Sequence, residues 1–321
     1  MTDTPDPIAT WLRLNPDPVA DPLSGMAEAG LLAPCPDYAA IARTKSAIVA
    51  RTGLLGLASV WGGRQLVYRH FLAHGTEAQR AAWAGKALSV AISEPEVGAH
   101  PKLLTTRADR VAAGWRITGR KAWVSNGPSA DAIIVFAITQ ENLGRKRYSA
   151  FIVPRTTPGL ALQAMPGFHA LRPSRHCLVT LDCQVPADAL LGEPGTAYDR
   201  MALPFRDVED AVGTFAVLGA LRHAARIRDA DAAELGAVVA LTSVYEAGAD
   251  AVVAALDAGR FQTGDATLVG LRVLALDIAA RLRALVGETE TLTDLAAVLA
   301  IAKGPRLMRQ TRLGEAAMRT P

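Results

Sequence analysis

The 321-residue sequence is poor in cysteine: Cys35, Cys177 and Cys183 are the whole set, and no two form a CxxC pair. So few thiols, in an odd number, exclude a disulfide framework and suit a reducing compartment. Charge of neither sign is in excess. Lys+Arg number 34 and Asp+Glu 31, and the formal net charge of +3 is too small to imply nucleic acid or a membrane surface as a partner. The densest basic cluster, "GRKRY" at 144–148, reads as a solvated loop. No uninterrupted apolar run approaches the roughly 18 residues a membrane span needs. The opening "MTDTPDPIATWLRLNPDPVADP" lacks the charged head and apolar block of a secretory signal. The expectation is a soluble, cytoplasmic protein.

Several catalytic signatures are missing too. No GxGxxG follows a strand, and neither GxxxxGK[ST] nor GxSxG occurs, which excludes a dinucleotide-binding Rossmann unit, a P-loop and a hydrolase elbow. His70 and His74 stand four apart on an expected helix, with no third ligand nearby. They are read as partly exposed helix histidines, and no metal site is expected.

What is present is apolar bulk. Half of the residues are hydrophobic and a fifth charged, enough for a sizeable core. Residues 1–22 hold five prolines and are expected to form a flexible arm with one amphipathic patch at Ile8–Leu14. Residues 23–89 have helical spacing, with Ile41, Ile48, Leu55 and Leu66 on a long stretch and Thr76 with Gln79 as a capping pair. Residues 90–193 change period. "GWRITGRKAWVSNG" alternates around a glycine and reads as a hairpin. "DAIIVFAIT", "YSAFIVP" and "HCLVTLDCQVP" read as short strands of a barrel or sandwich. From 194 to 321 the helical period returns in four segments, broken at "RDADA", "LDAGRFQTGD" and "VGETET". The segment 234–257 is Ala- and Val-rich nearly all round, as a buried helix would be. The fold class expected is α+β: an N-terminal helical segment, a central β domain and a C-terminal antiparallel four-helix bundle.

Four motifs then occur in order: "AISEPEVGAH" (91–100), "GRKAWVSNGPSADAIIVFA" (119–137), "FIVPRTTPGL" (151–160) and "LRPSRHCLVTLDCQVPADALLG" (171–192). Together they resemble the acyl-CoA dehydrogenase family, whose middle domain runs T/S-E-P-x-x-G-S-D, then G-x-K-x-W-I-T/S-N-G, then R-x-S and F-x-D-V-x-V-P. The resemblance implies an FAD-dependent α,β-dehydrogenation of an acyl-CoA thioester. A flavin ring needs an apolar cover on one face and fixed donors at its edge. By motif position these are Ile92, Ser93, Trp123, Val124 and Ser125. Taken singly, Ser93 reads as a turn residue and Trp123 as ordinary core. Glu94, in the E-P pair, is structural by the same resemblance.

Departures from the pattern bear on function. Ala99 and His100 stand where the family has Ser and Asp, so Ala99, the substrate-binding position, keeps its backbone donor but has no hydroxyl. The family's Y-E-G-T glutamate and Q-x-x-G-G-x-G segment do not occur, "RFQTG" (260–264) only faintly echoes R-x-T-F-G, and "AIAKGPRLM" resembles the helix before the missing part. The expectation is a C-terminally truncated, partly degenerate member. A minority of the family places the base in an L-E-R context ahead of an L-G pair, and "VEDAVGTFAVLG" puts Glu209 in that register, with Asp210 in place of the arginine. Alternatively, Asp207, Glu209 and Asp210 fit acidic residues complementing the start of a helix. The resemblance implies a homodimer or homotetramer; the degeneracy raises a second reading, a non-catalytic partner subunit of a full-length acyl-CoA dehydrogenase with weak or no FAD binding.

Overall fold

A computed structural model describes residues 6–319 except Pro166 and Thr263. The chain divides into two compact units. One joins the residues up to Gly62, the short stretch Ala170–Pro173 and everything from Asp207 onward; the other holds Gly63–His169 with Ser174–Arg206.

The segment expected as an arm carries helix α1, Pro7–Leu14, which starts under the Asp6 carboxylate, 3.0 Å from Ile8 N. Trp11 is fully buried and its indole donates to Ser24 O at 2.9 Å, so burial and a hydrogen bond hold this stretch in place. The long helical stretch expected next is two helices, α2 (Tyr38–Thr52) and α3 (Leu55–Leu66). Gly53, at φ +73°, ends α2 in the left-handed conformation that glycine adopts without steric cost. The chain then widens into a π turn, Val67–Phe71, and a 3-10 turn, Leu72–His74. His70 is buried there, with Nε2 2.8 Å from Met201 O, where the spacing had suggested a partly exposed residue. Helix α4 (Glu77–Ala82) begins with the Thr76–Gln79 capping box that the spacing predicts.

Eight strands follow: β1 (Leu88–Ala91), β2 (Arg107–Val111), β3 (Gly114–Ser125), β4 (Ala132–Asn142), β5 (Arg145–Pro154), β6 (Leu160–Ala164), β7 (His176–Val185) and β8 (Leu190–Leu191). They form one mixed sheet in the order β6-β7-β3-β2-β4-β5-β8, with β1 parallel to β4. Strand β4 is apolar without alternation because it is covered on both faces. Ile134 and Phe136 join one apolar cluster, while Ile133, Val135 and Ala137 join another.

"GWRITGRKAWVS" is one continuous strand, β3, and the hairpin lies instead between β2 and β3. The glycine taken as a turn, Gly119, sits mid-strand at φ +148°. A β-carbon there would lie 2.5–2.8 Å from Thr106 atoms, so this glycine serves a close backbone approach.

The last part is helical: α5 (Leu203–Ala224), preceded by a π turn at Tyr198–Ala202, then α6 (Ala232–Asp257), α7 (Ala266–Val286), α8 (Glu290–Ala300) and α9 (Lys303–Arg319). The breaks between α5, α6, α7 and α8 fall where the sequence places them, and α9 is one helix more than the expected four. By length and composition α6 could cross a membrane, although Glu246 and Asp250 interrupt its apolar run. Its expected all-round burial is not observed. Val238, Thr242, Tyr245, Ala249 and Val252 form one buried stripe, while Val239 and Val244 are exposed. No residue of α9 is buried. Ion pairs of Arg306 and Arg309 with Asp210, at 2.8 and 2.7 Å, hold it to α5.

Candidate functional site

Within the sheet unit, the two motif stretches meet at a distortion of β3. Lys121 pairs with Val179 of β7, and the next paired residue, Val124, faces Cys177. Three residue steps on β3 therefore oppose two on β7, a β-bulge. The buried positions of β3 switch phase at this point: Trp115, Ile117 and Lys121 are buried before it, Ala122 and Val124 after it. Trp123 is left outside at φ +59°, with 51% of its surface exposed. A bulky residue in the left-handed region is strained, by about 1–3 kcal/mol, and such strain concentrates at functional positions. The alternative that Trp123 is ordinary core does not hold.

Backbone bonds place Ile92 and Ser93 against this bulge. Ala122 N donates to Ser93 O at 2.9 Å, and the Lys121 ammonium donates to Ile92 O at 3.0 Å. Ser89, on β1, donates to Ser125 O at 2.9 Å. Ser93 is half-buried and Ser125 exposed, so both hydroxyl-bearing residues reach the surface near Trp123. Val124 differs: its side chain is fully buried in the sheet core, leaving its backbone alone to face a ligand.

A buried ion pair locks the arrangement. Lys121 has no exposed surface and lies 3.0 Å from Glu94 Oε1. Glu94 also accepts from Thr106 N at 2.9 Å and from Thr105 N and Oγ at 2.7 and 2.8 Å. Burial opposes the Glu94 charge, but Lys121 and these donors outweigh it and hold the carboxyl down at about 2. Lys121, where burial dominates, is lowered to about 8. Both stay charged at neutral pH. Glu94 is thus structural, as the motif implies.

Two ring neighbours of this site do not follow from the motifs. Phe168 meets the Trp123 ring edge-on at 5.5 Å between centroids, and His176, opposite Ser125 in register, lies 4.8 Å from Phe168. Burial lowers the His176 pKa and keeps the ring neutral. The only signal for His176 was its place two residues after Ser174 in the R-x-S segment.

Ala99 is half-buried, and its carbonyl accepts from Tyr198 OH at 2.7 Å, which fixes the loop where the family's hydroxyl would stand.

Glu209 lies in the helical unit, on α5. The helix-start explanation for it fails, because α5 begins at Leu203 and continues a π turn from Tyr198. Asp210 accepts from Arg306 and Arg309 of α9. Glu209 keeps solvent-accessible surface, yet protein surrounds it densely enough that desolvation, followed by repulsion from Asp210, raises its carboxyl to about 7. Lys45 on α2 is the cation that most favours its charge, and burial lowers the Lys45 pKa in turn.

Residues 89–183 match the family model described as acyl-CoA dehydrogenase, middle domain. The chain is 37% identical over 134 residues to human mitochondrial short-chain specific acyl-CoA dehydrogenase, a match covering 40% of this chain and 32% of that protein. It is 33% identical over 151 residues to rice mitochondrial isovaleryl-CoA dehydrogenase, covering 45% and 37%. The matched region thus spans about a third of these relatives' length. Solved structures extend the likeness of fold to nearly the whole chain. Butyryl-CoA dehydrogenase from Megasphaera elsdenii superposes with a TM-score of 0.75 at 18% identity, covering 99% of this chain and 100% of that one. A probable acyl CoA dehydrogenase from Mycobacterium abscessus gives 0.77 at 19% identity, covering 98% and 95%. Residues 89–183 thus carry the middle domain of the acyl-CoA dehydrogenase family, and the chain shares the fold of acyl-CoA dehydrogenases nearly from end to end.

Proposed function

We propose that the chain is an FAD-dependent acyl-CoA dehydrogenase-like oxidoreductase that introduces an α,β double bond into an acyl-CoA thioester. The observation carrying this reading is the bulge that turns the Trp123 ring outward beside Ser93 and Ser125. An open aromatic face flanked by hydroxyls on bonded strands fits a flavin ring, which needs an apolar cover and fixed donors. In this reading Trp123 covers the ring, the hydroxyls of Ser93 and Ser125 hold its edge, and the backbones of Ile92 and Val124 supply the remaining contacts. FAD, when bound, supplies a two-electron acceptor for the hydrogen leaving the β-carbon. Ala99 offers its backbone N–H to the substrate. Glu209 removes the α-proton. With its carboxyl near 7 it is a usable base only in its ionised form, so turnover rises with pH through that value.

The test is the visible spectrum. The purified protein, alone or with added FAD, is expected to show flavin bands that bleach on addition of acyl-CoA, and Glu209→Gln is expected to abolish the bleaching while leaving the bands. A protein that stays colourless with excess FAD refutes the reading.

One observation favours a second reading, a partner subunit of a hetero-oligomer: Ala99 and His100 replace a hydroxyl and an acid in the substrate loop. It requires co-purification with a longer homologue and flavin in the complex alone. A homodimer with stoichiometric FAD excludes it.

A further inference from the structure

A cavity of about 80 Å³ lies inside the helical unit, lined by Thr214 and Val217 of α5, Tyr245 of α6, Leu268, Val269 and Arg272 of α7 and the ends of α8 and α9. Its walls are largely apolar, and its polar groups are nearly all engaged. Thr214 Oγ donates to Ala211 O at 2.6 Å, and Tyr245 OH donates to Thr214 O at 3.1 Å. Arg306 and Arg309 both bond Asp210, using its two oxygens. Arg272 is engaged only in part. One of its terminal nitrogens, Nη2, donates to Leu299 O at 2.8 Å, while Nη1 is buried without a hydrogen-bond partner. Arg272 makes no ion pair of its own among the described residues, although Asp210 in the same cavity wall favours its charge; a buried donor left without an acceptor is costly.

We propose that this cavity binds a short-chain monocarboxylate, with Arg272 as its counter-ion and Val217, Leu268 and Val269 around its alkyl tail. The carboxylate would accept a charge-assisted hydrogen bond from Arg272 Nη1. Size favours a short chain: the cavity is small, which suits a small carboxylate with a short alkyl tail. Burial and then Arg306 lower the Arg272 pKa, and Asp210 offsets them only in part.

The experiment titrates the full-length protein with sodium acetate, propionate, butyrate and hexanoate by calorimetry, at ionic strength held constant with sodium chloride. Acetate to butyrate are expected to bind saturably in the range of about 1 mM, with hexanoate at least tenfold weaker. Arg272→Met is expected to weaken binding about tenfold or more, the usual loss of a hydrogen bond to a charged group. Val269→Phe, which fills the cavity and keeps the arginine, is expected to weaken it likewise and serves if Arg272→Met does not fold. The proposal is overturned by a folded protein with no saturable binding, by affinity that keeps rising beyond butyrate, by chloride competing as well as acetate, or by a folded variant of either kind that binds like the parent.

Discussion

Replacing Lys121 by Met removes a buried cation while keeping most of the volume of its stem. Holding the Glu94 carboxyl at about 2 against an ordinary 4.5 favours its charged form by roughly 3 kcal/mol. Pushing Lys121 from 10.5 to about 8 costs its charged form about the same, so the intact pair contributes close to nothing net. Removing one partner is a different matter. Glu94 would keep Thr105 and Thr106 but face burial with its charge uncompensated, and such losses run at about 3–5 kcal/mol. Lys121→Met is therefore expected to lower the urea midpoint at pH 7 by an amount equivalent to at least 3 kcal/mol. Glu94→Gln/Lys121→Met, which removes both charges, is expected to recover part of that loss. The sign with pH is also set. A depressed carboxyl contributes stability above its unfolded value, so the parent loses this contribution as pH falls from about 4.5 toward 2. In Lys121→Met that loss begins at higher pH. A single variant within about 1 kcal/mol of the parent, or a double variant no better than the single, would refute the account of the pair.

Glu209 has a raised folded pKa, so its ionisation destabilises the fold increasingly as pH rises from about 4.5 through about 7. Glu209→Gln is accordingly expected to stabilise the protein at pH 8 by ~0.5–1 kcal/mol, a figure discounted for its solvent contact, and to leave stability unchanged at pH 4; thermal melts at the two pH values check this. Trp123→Gly relieves the left-handed strain, so unfolding free energy is expected to hold or rise by about 1 kcal/mol while flavin affinity, read by fluorescence quenching, falls about tenfold or more; a large loss of stability would instead make Trp123 a packing residue. Gly119→Ala sets a β-carbon against Thr106 in a backbone that disfavours it, and is expected to cost ~1–3 kcal/mol by urea titration.

Much of the architecture can be read from period alone. Helical spacing returns after residue 194, and the breaks at 228–232, 256–265 and 286–291 separate α5, α6, α7 and α8 because polar and glycine-rich stretches cannot continue an apolar stripe. Local caps are legible for the same reason, since Thr76 and Gln79 act within one turn. What period cannot reveal is long-range approach. Gly119 looks like a turn in sequence, because a close neighbour such as Thr106 leaves no mark on the residues beside it. The apolar surface of α6 says nothing of which stripe is covered, and α9 is joined to α5 by charge, which carries no periodic signal. At the candidate site, the motifs name Ser93, Lys121, Trp123 and Ser125, but His176 is set beside Ser125 by strand pairing, Phe168 meets Trp123 by ring contact, and the motifs do not show that Lys121 reaches Ile92 O.

The bulge in β3 carries a consequence for how this stretch tolerates change. Side chains on a strand alternate, so one residue more or fewer between Lys121 and Ser125 would send every later side chain to the opposite face. An insertion or deletion there would expose Val124 and turn Ser125 inward, whatever residue were added or lost. Replacements at Trp123 or Ser125, whose side chains already face outward, leave that alternation intact. In a library of variants, the stretch should accept many spellings of its outward letters and only one length.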